Sequence, residues 1–299
     1  MSNADPPGTP DTSTIGGLLA AACAQLAPAH STARLDSEVL LAHVLGCPRS
    51  RLWAYPERRP ARGQTARFRA LVARRLTGEP VAYLTGTREF WSLPLRVTPD
   101  TLIPRPETED LVELALERIP ADTPTLVADL GTGTGAIALA IARERPRARL
   151  VATERDATVL AVARANGLHL GIANIEYRTG DWCAALSPGA RYRLVVSNPP
   201  YIPTGDPHLA QGDVAFEPGT ALAAGPDGLD AIRRIAAQAR DFLEPGGGLL
   251  LEHGYDQGDT VCRLLATLGY QDVEDHWDAA GQPRVTVAIW VPATGPRET

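Results

Sequence analysis

A chain of 299 residues is long for one hydrophobic core and sufficient for two domains of about 150 residues each. With 44% hydrophobic and 21% charged residues, and no uninterrupted apolar stretch near the length of a membrane span, the composition fits a globular protein with no membrane partner. A net charge of -6 argues against a broad nucleic-acid footprint, and the absence of lysine excludes a Schiff-base lysine, a P-loop lysine and a lysine general base in one step.

Taken in chain order, residues 1–13 are polar and rich in Pro, Gly and Thr. They lack the basic and apolar regions of a signal peptide and read as a disordered tail. Residues 14–78 carry helical signals: "SEVLLAHVLG" spaces its apolar residues helically and ends on Gly46, and "ARFRALVARRLTG" repeats the pattern to Gly78. A small helical domain is expected there. Within it, nine arginines between Arg49 and Arg75 face one acid, Glu57. Such a run reads first as a solvated helix face and second as a docking surface for an acidic or RNA-bound partner.

Residues 79–105 switch to short β-prone runs, with "REFWSLPLRV" as a hairpin bending near Ser92 to Pro94, and serve as a linker. From 106 onward, "IPRPETEDLVELALERI" predicts a helix with Pro106 in its first turn and Glu107, Glu109 and Asp110 complementing its dipole. From 125 the rhythm is strand, helix, strand: "TLVADL", "RLVATE", "YRLVVS" and "LLLEHG" alternate with helical runs, "EPGGG" forming the turn into the last of these strands. Near-continuous apolar strands imply a mostly parallel sheet covered on both faces. The closing runs "QDVEDHW" and "RVTVAIW" leave no room for a helix and must pair antiparallel. The fold class is therefore α/β, a Rossmann-like doubly wound sheet with an antiparallel strand at one end, which matches the class I methyltransferase form better than a plain dinucleotide fold.

Cys23, Cys47, Cys183 and Cys262 are far apart and form no C-x-x-C pair, and apart from His43, four residues before Cys47, no histidine sits close to another histidine or a cysteine. A disulfide framework and a metal site are not expected, and a reduced cytoplasmic location suits the thiols.

"DLGTGTGA", residues 129–136, sits where strand becomes helix. Gly131, Gly133 and Gly135, with Thr132 and Thr134 between them, allow a sharp turn and close backbone approach to a ligand facing free helix amides. Alone, the loop also satisfies the dinucleotide fingerprint, with Glu154 at the end of the next strand placed to grip ribose hydroxyls in either case. Asp181 and Trp182 after the third strand tip the balance, offering a carboxylate for an adenine amino group and a flat apolar wall.

"SNPPYI" follows the fourth strand directly. Asn198 and the Pro199 carbonyl supply two acceptors for the hydrogens of a planar NH₂ group, Pro199 and Pro200 stiffen the backbone that carries them, and Tyr201 can stack on the held group. That arrangement suits methyl transfer from a sulfonium to an sp² nitrogen, with Asn198 near both cofactor and substrate.

These segments, with "GEPVAYLTGTREFWSLPLRVTPDTLIPRPETEDLV", "FEPGTALAAGPDGLDAIRRI" and "LEPGGGLLLEHGYDQ", carry a resemblance from about residue 14 to 291. The chain resembles the bacterial protein-(glutamine-N5) methyltransferases that modify class-1 peptide-chain release factors. The resemblance implies S-adenosyl-L-methionine as cofactor without a metal, held by Gly131 to Gly135, Glu154, Asp181, Trp182 and Asn198. It also implies that Asn198, Pro199, Pro200 and Tyr201 grip the glutamine of a Gly-Gly-Gln loop, in a monomer that holds no nucleic acid stably. The helical domain would position the substrate protein. Two positions depart from the family pattern: Glu154 stands where Asp is typical, and His253 where a smaller apolar residue is. N5-methylation of a ribosomal-protein glutamine, adenine-N6 methylation of nucleic acid and a dinucleotide oxidoreductase are the competing readings.

Overall fold

The computed structural model describes residues 11–292. They fall into two compact units, one ending at Gly86 and the other starting at Thr87. Among the described residues no helix is long and apolar enough to cross a membrane.

The first unit is helical: α1 (Ile15–Leu26), α2 (Ala33–Leu45), α3 (Arg49–Ala54), α4 (Arg62–Leu76) and α5 (Val81–Thr85). Leu18, Leu26, Leu40, Leu41, Leu52, Phe68 and Val72 form its core. Gly46 closes α2 at φ 62°, a left-handed conformation that glycine adopts without a Cβ penalty. Residues 11–13, expected in the tail, instead turn into α1. Ser13 N donates to Asp11 Oδ1 at 3.0 Å, and Thr14 caps the helix by accepting from Gly17 N at 3.1 Å. The rest of that segment, residues 1–10, lies outside the described residues.

The arginine run is not one solvated face. Arg75 is 5% exposed and its Nε donates to the buried Asp36 Oδ2 at 2.8 Å, while Arg74 pairs with Glu79 nearer the surface. Arg49 and Arg34 converge with the Trp53 indole on Glu38. Burial raises the Glu38 carboxyl, but these donors outweigh it and hold the group below its usual range.

The second unit opens with the hairpin β1 (Thr87–Phe90) and β2 (Leu93–Arg96). Its bend lies at Trp91 and Ser92, with φ of 52° and 56°, rather than at Ser92 to Pro94. Two successive positive φ values match the twist of the flanking strands, and Pro94 takes a place in β2 opposite Glu89. The next helix, α6 (Thr108–Arg118), begins two residues after Pro106. Pro106 is therefore in the turn before the helix, where its carbonyl accepts from Glu109 N at 2.9 Å, and not in the first helical turn.

The remaining elements are β3 (Leu126–Leu130), α7 (Ala136–Glu144), β4 (Arg149–Glu154), α8 (Ala157–Leu170), β5 (Ile175–Thr179), β6 (Tyr192–Ser197), α9 (Asp230–Ala239), β7 (Leu243–Glu252), α10 (Gly258–Thr267), β8 (Tyr270–Trp277) and β9 (Pro283–Trp290). They build a seven-stranded sheet in the order β5-β4-β3-β6-β7-β9-β8. Neighbours pair in parallel except for β9, which runs antiparallel to both β7 and β8. The expected turn "EPGGG" is instead the irregular start of β7, where the pairing with β6 skips from Leu243 to Gly248.

Alternate residues of the central strands enter opposite cores. Leu150, Leu194, Val196 and Leu250 pack with α6 and α7 on one face, and Val151, Val195, Leu249 and Leu251 with α9 and α10 on the other. This is why the strand sequences read as unbroken apolar runs. The order also creates a switch point: from β3 the chain moves outward through β4 and β5, then returns to place β6 on the other side of β3. A crevice opens at the carboxyl ends of strands at such a point.

The buried Asp36–Arg75 pair gives a test of the first unit. Arg75→Ala leaves the Asp36 carboxylate without its cation and is expected to cost about 3–5 kcal/mol of stability. The double replacement Asp36→Leu with Arg75→Leu is expected to recover most of it. Urea unfolding followed by circular dichroism measures both.

Candidate active site

The cleft at the switch point encloses about 880 Å³. Every strand from β3 to β6 ends at it. The loop after β3 is held by Gly131 N and Thr132 N, both donating to Thr153 O at 2.9 Å. Gly131 has φ 73°, and a Cβ there would come within 2.6 Å of the Trp182 ring. The indole therefore lies against the bare backbone, and glycine is required on both counts. From the end of β4, Glu154 Oε2 accepts from Gly133 N at 3.3 Å, tying the acid to the same loop.

Beneath the loop, the fully buried Asp129 accepts from Thr132 Oγ1 at 2.6 Å and from Ala138 N at 3.2 Å through Oδ2, while its Oδ1 has no partner. Burial lifts its carboxyl to about 7; the two donors oppose the rise and nearby Glu154 adds to it. After β5, Asp181 is engaged by Arg234 of α9 at 2.8 Å. The acceptor expected for an adenine amino group is thus already paired in this structure.

Beyond β6, Ser197 Oγ donates to Leu130 O at 2.7 Å and locks β6 against β3. Asn198 Nδ2 then donates to Thr108 Oγ1 at 3.1 Å. With its NH₂ group used in this way, Asn198 leaves Oδ1 as the end free to accept a hydrogen bond. Tyr201 is fixed twice: its carbonyl accepts from Gln257 Nε2 at 2.9 Å, and its hydroxyl donates to Glu252 Oε1 at 3.5 Å. Its ring packs against the core beneath α9 and α10. Burial raises the Tyr201 hydroxyl, with the Glu252 charge adding to it, so the phenol stays protonated at neutral pH.

Of the residues singled out from sequence, Gly131, Thr132, Gly133, Thr134, Glu154, Asp181, Trp182, Asn198 and Pro200 line this one cleft. Gly135, Pro199 and Tyr201 are not among the lining residues. At Gly135, φ is 85° and an added Cβ would meet Leu139 at 3.0 Å and Ala163 at 3.2 Å, so its smallness serves helix packing. Tyr201, expected to stack on a held amide, is buttressed from behind.

Two family models match the chain, the PrmC N-terminal domain over residues 17–86 and the methyltransferase small domain over residues 110–212. The chain is 53% identical over 263 residues to the release factor glutamine methyltransferase of Pseudomonas aeruginosa, covering 88% of this chain and 95% of that protein. The chain belongs to the release factor glutamine methyltransferase family. Its similarity to the Escherichia coli member is 49% over 259 residues, covering 87% of this chain and 93% of the other. A methyltransferase from Pyrococcus furiosus shares the fold at a TM-score of 0.51 with 18% identity, over 73% of this chain and 97% of that one.

Sequence reasoning missed several residues of this family member's cleft. Thr108 was read only as part of a helix start, yet it holds Asn198. Arg105 lines the cleft and is tied to the buried Glu217, whose other oxygen accepts from Ile103 N at 3.2 Å. These pairings join positions 90 to 114 residues apart, so no local pattern exposes them. The polar residues of "LIPRPETE" and the single Glu217 of "AFEPG" are the only local signal.

The unfolded Asp129 carboxyl ionises near 3.8 and the folded one near 7, so the folded state holds the proton more tightly. That stabilisation is whole below the lower value and is lost as pH rises through the upper one. Asp129→Asn keeps an acceptor for Thr132 and Ala138 and removes the titration. Between about pH 4 and 7 its unfolding free energy should fall less steeply than that of the wild type, by up to about 1.4 kcal/mol per pH unit. Urea titrations across that range measure the slope.

Proposed function

We propose that this chain transfers the methyl group of S-adenosyl-L-methionine to the side-chain amide nitrogen, N5, of the glutamine in the Gly-Gly-Gln loop of class-1 peptide-chain release factors. The observation that carries the reading is the anchored amide of Asn198, a residue that lines the same cleft as the glycine loop and is bonded through its nitrogen.

The residues fit the cofactor. The missing Cβ of Gly131 leaves a cradle beside the Trp182 ring, and Glu154 offers a carboxylate at the end of β4 for vicinal hydroxyls. Glu, in place of the typical Asp, lengthens that reach without changing the chemistry. Bound there, the sulfonium would supply an electrophilic methyl group. Gly131 to Thr134 would line it with bare backbone, the Gly131 and Thr132 amides being spent on Thr153, and Trp182 would face the adenine. Arg234 would have to share Asp181 with the adenine amino group.

Toward the substrate, Asn198 Oδ1 and the Pro199 carbonyl accept the two hydrogens of the glutamine NH₂. Both bonds draw density onto nitrogen and fix its direction. Pro199 and Pro200 restrict the backbone that carries these acceptors. Orientation of this kind contributes up to about 7–11 kcal/mol in well-aligned intramolecular reactions. A strong base before attack is then unnecessary. Tyr201 contributes by holding the turn from behind.

The helical region of residues 14–78 positions the substrate protein, with residues 79–105 as the linker; its match to the PrmC N-terminal domain supports that role. Release factors act in the cytoplasm, and the same reading places this enzyme there as a monomer.

Incubation with S-adenosyl-L-methionine and a class-1 release factor, followed by peptide mass mapping, is expected to add one methyl group at the Gly-Gly-Gln glutamine. A ribosomal protein or DNA methylated in preference to the release factor would refute the substrate assignment. Asn198→Ala is expected to lower kcat at least about 100-fold while S-adenosylhomocysteine affinity, by calorimetry, stays within about threefold. Glu154→Ala should show the opposite split, with weakened cofactor binding as its main effect.

A further inference from the structure

One acid in the second unit is buried, incompletely satisfied and unused by the chemistry above. Glu252 ends β7, is 1% exposed, and its Oε2 has no hydrogen-bond partner. Leaving a buried oxygen without a partner is destabilising, so stability does not explain it. What surrounds it does. The Tyr201 hydroxyl donates to Oε1 at 3.5 Å. Thr108 lies beside the same carboxyl and opposes the rise in its pKa, although no hydrogen bond of ordinary geometry joins the two here.

Thr108 has one hydroxyl hydrogen. Its oxygen already accepts from Asn198 Nδ2, so that hydrogen is free to point at an acceptor, and the facing carboxyl is one. Direction then passes along the chain of groups. An acceptor at Glu252 would orient the Thr108 hydroxyl, which would favour Thr108 as an acceptor for Asn198 Nδ2 and so leave Asn198 Oδ1 as the outward end. A donor in place of Glu252 would reverse the sense of each link.

We propose that Glu252 is a positioning residue for methyl transfer, acting through Thr108 on the orientation of the Asn198 amide and through the Tyr201 hydroxyl on the turn that carries it. This rests on the function proposed above.

The charges facing Glu252 are those of Arg284 on β9 and Glu107 ahead of α6; Arg284 is partly engaged by Asp278 at 3.2 Å. Burial lifts the Glu252 carboxyl to about 7, with Arg284, Thr108 and Tyr201 opposing the rise and Glu107 adding to it. Protonation would give the carboxyl a donor of its own, so the relay is at full strength on the alkaline side.

The test compares Glu252→Gln, Thr108→Val and Thr108→Ser with the wild type in the full chain. Glu252→Gln is expected to lower kcat about tenfold or more, leaving S-adenosylhomocysteine affinity within threefold and Tm unchanged or raised. Lowered Tm with unchanged kcat would mark a purely structural residue and overturn the proposal. Thr108→Val should lose activity similarly, and Thr108→Ser, which keeps the hydroxyl, should regain at least half of it. The double variant should lose little more than either single one, because both cut the same relay; full additivity would overturn it. In the wild type, kcat should rise with pH through about 7, and Glu252→Gln should flatten that limb.

A readout independent of turnover uses protein labelled with nitrogen-15 at asparagine. The Asn198 carboxamide signal, assigned by its loss in Asn198→Ala, should move in Glu252→Gln and in Thr108→Val. If the signal moves in both variants while the wild type methylates no release factor, the assigned reaction falls and the relay stands. An unmoved signal would sink the relay whatever the activity.

Discussion

A carboxamide has two faces of opposite sense, and a site that uses one must decide which end points outward. Here the hydrogen bond from Asn198 Nδ2 to Thr108 makes that decision. Free, the Asn198 side chain would offer a donor about as readily as an acceptor, and a donor aimed at a substrate NH₂ group would repel it. Anchoring the nitrogen on α6 converts a flexible amide into a fixed acceptor. The same bond ties the start of α6 to the end of β6, so the geometry of this side of the cleft and the polarity of Asn198 come from one contact.

Around that contact the sheet supplies rigidity. The Ser197 hydroxyl bonds β6 to β3 immediately before Asn198, and Gln257 clasps the Tyr201 carbonyl three residues after it. Two prolines between them remove backbone donors that would otherwise need partners. The turn is thus held at both ends and stiffened in the middle. The cofactor side follows a different economy: glycines at 131 and 133 bring bare backbone to the cleft, and the Trp182 ring occupies the space a Cβ at Gly131 would take. Two acids, Asp129 and Glu252, are fully buried beneath the two halves, each with one oxygen lacking a partner. Burial holds both near neutrality.

The periodic elements are legible because the central strands β3, β4, β6 and β7 are largely buried on both faces and α2 and α8 end on left-handed glycines. The unbroken apolar runs of β3, β6 and β7 announced a covered sheet, and "DLGTGTGA" and "SNPPYI" announced its functional end. Boundaries failed where tertiary packing overrode local signals. Pro106 suits a first helical turn by itself, yet the chain waits until Thr108, the residue that meets Asn198. "EPGGG" reads as a turn, but β6 draws it into the sheet as an irregular strand start. The supporting residues Thr108, Glu217, Glu252 and Gln257 escaped notice since their partners lie 51 to 114 residues away. Arg75 was misjudged for a related reason: its neighbours in sequence are exposed, and only the fold brings Asp36 to it.

The position of β9 has a consequence for biosynthesis. It occupies the slot between β7 and β8, although the ribosome makes it after both. Until residues 283–290 have emerged, β7 presents an unpaired apolar edge, the kind of surface on which nascent chains associate wrongly. Glu252 lies opposite Val285 in that final pairing, so the outer partner of the strand beneath the proline turn is laid down last. A polypeptide stalled short of this strand would carry the glycine loop and the proline turn in full beside a β7 whose outer edge is bare.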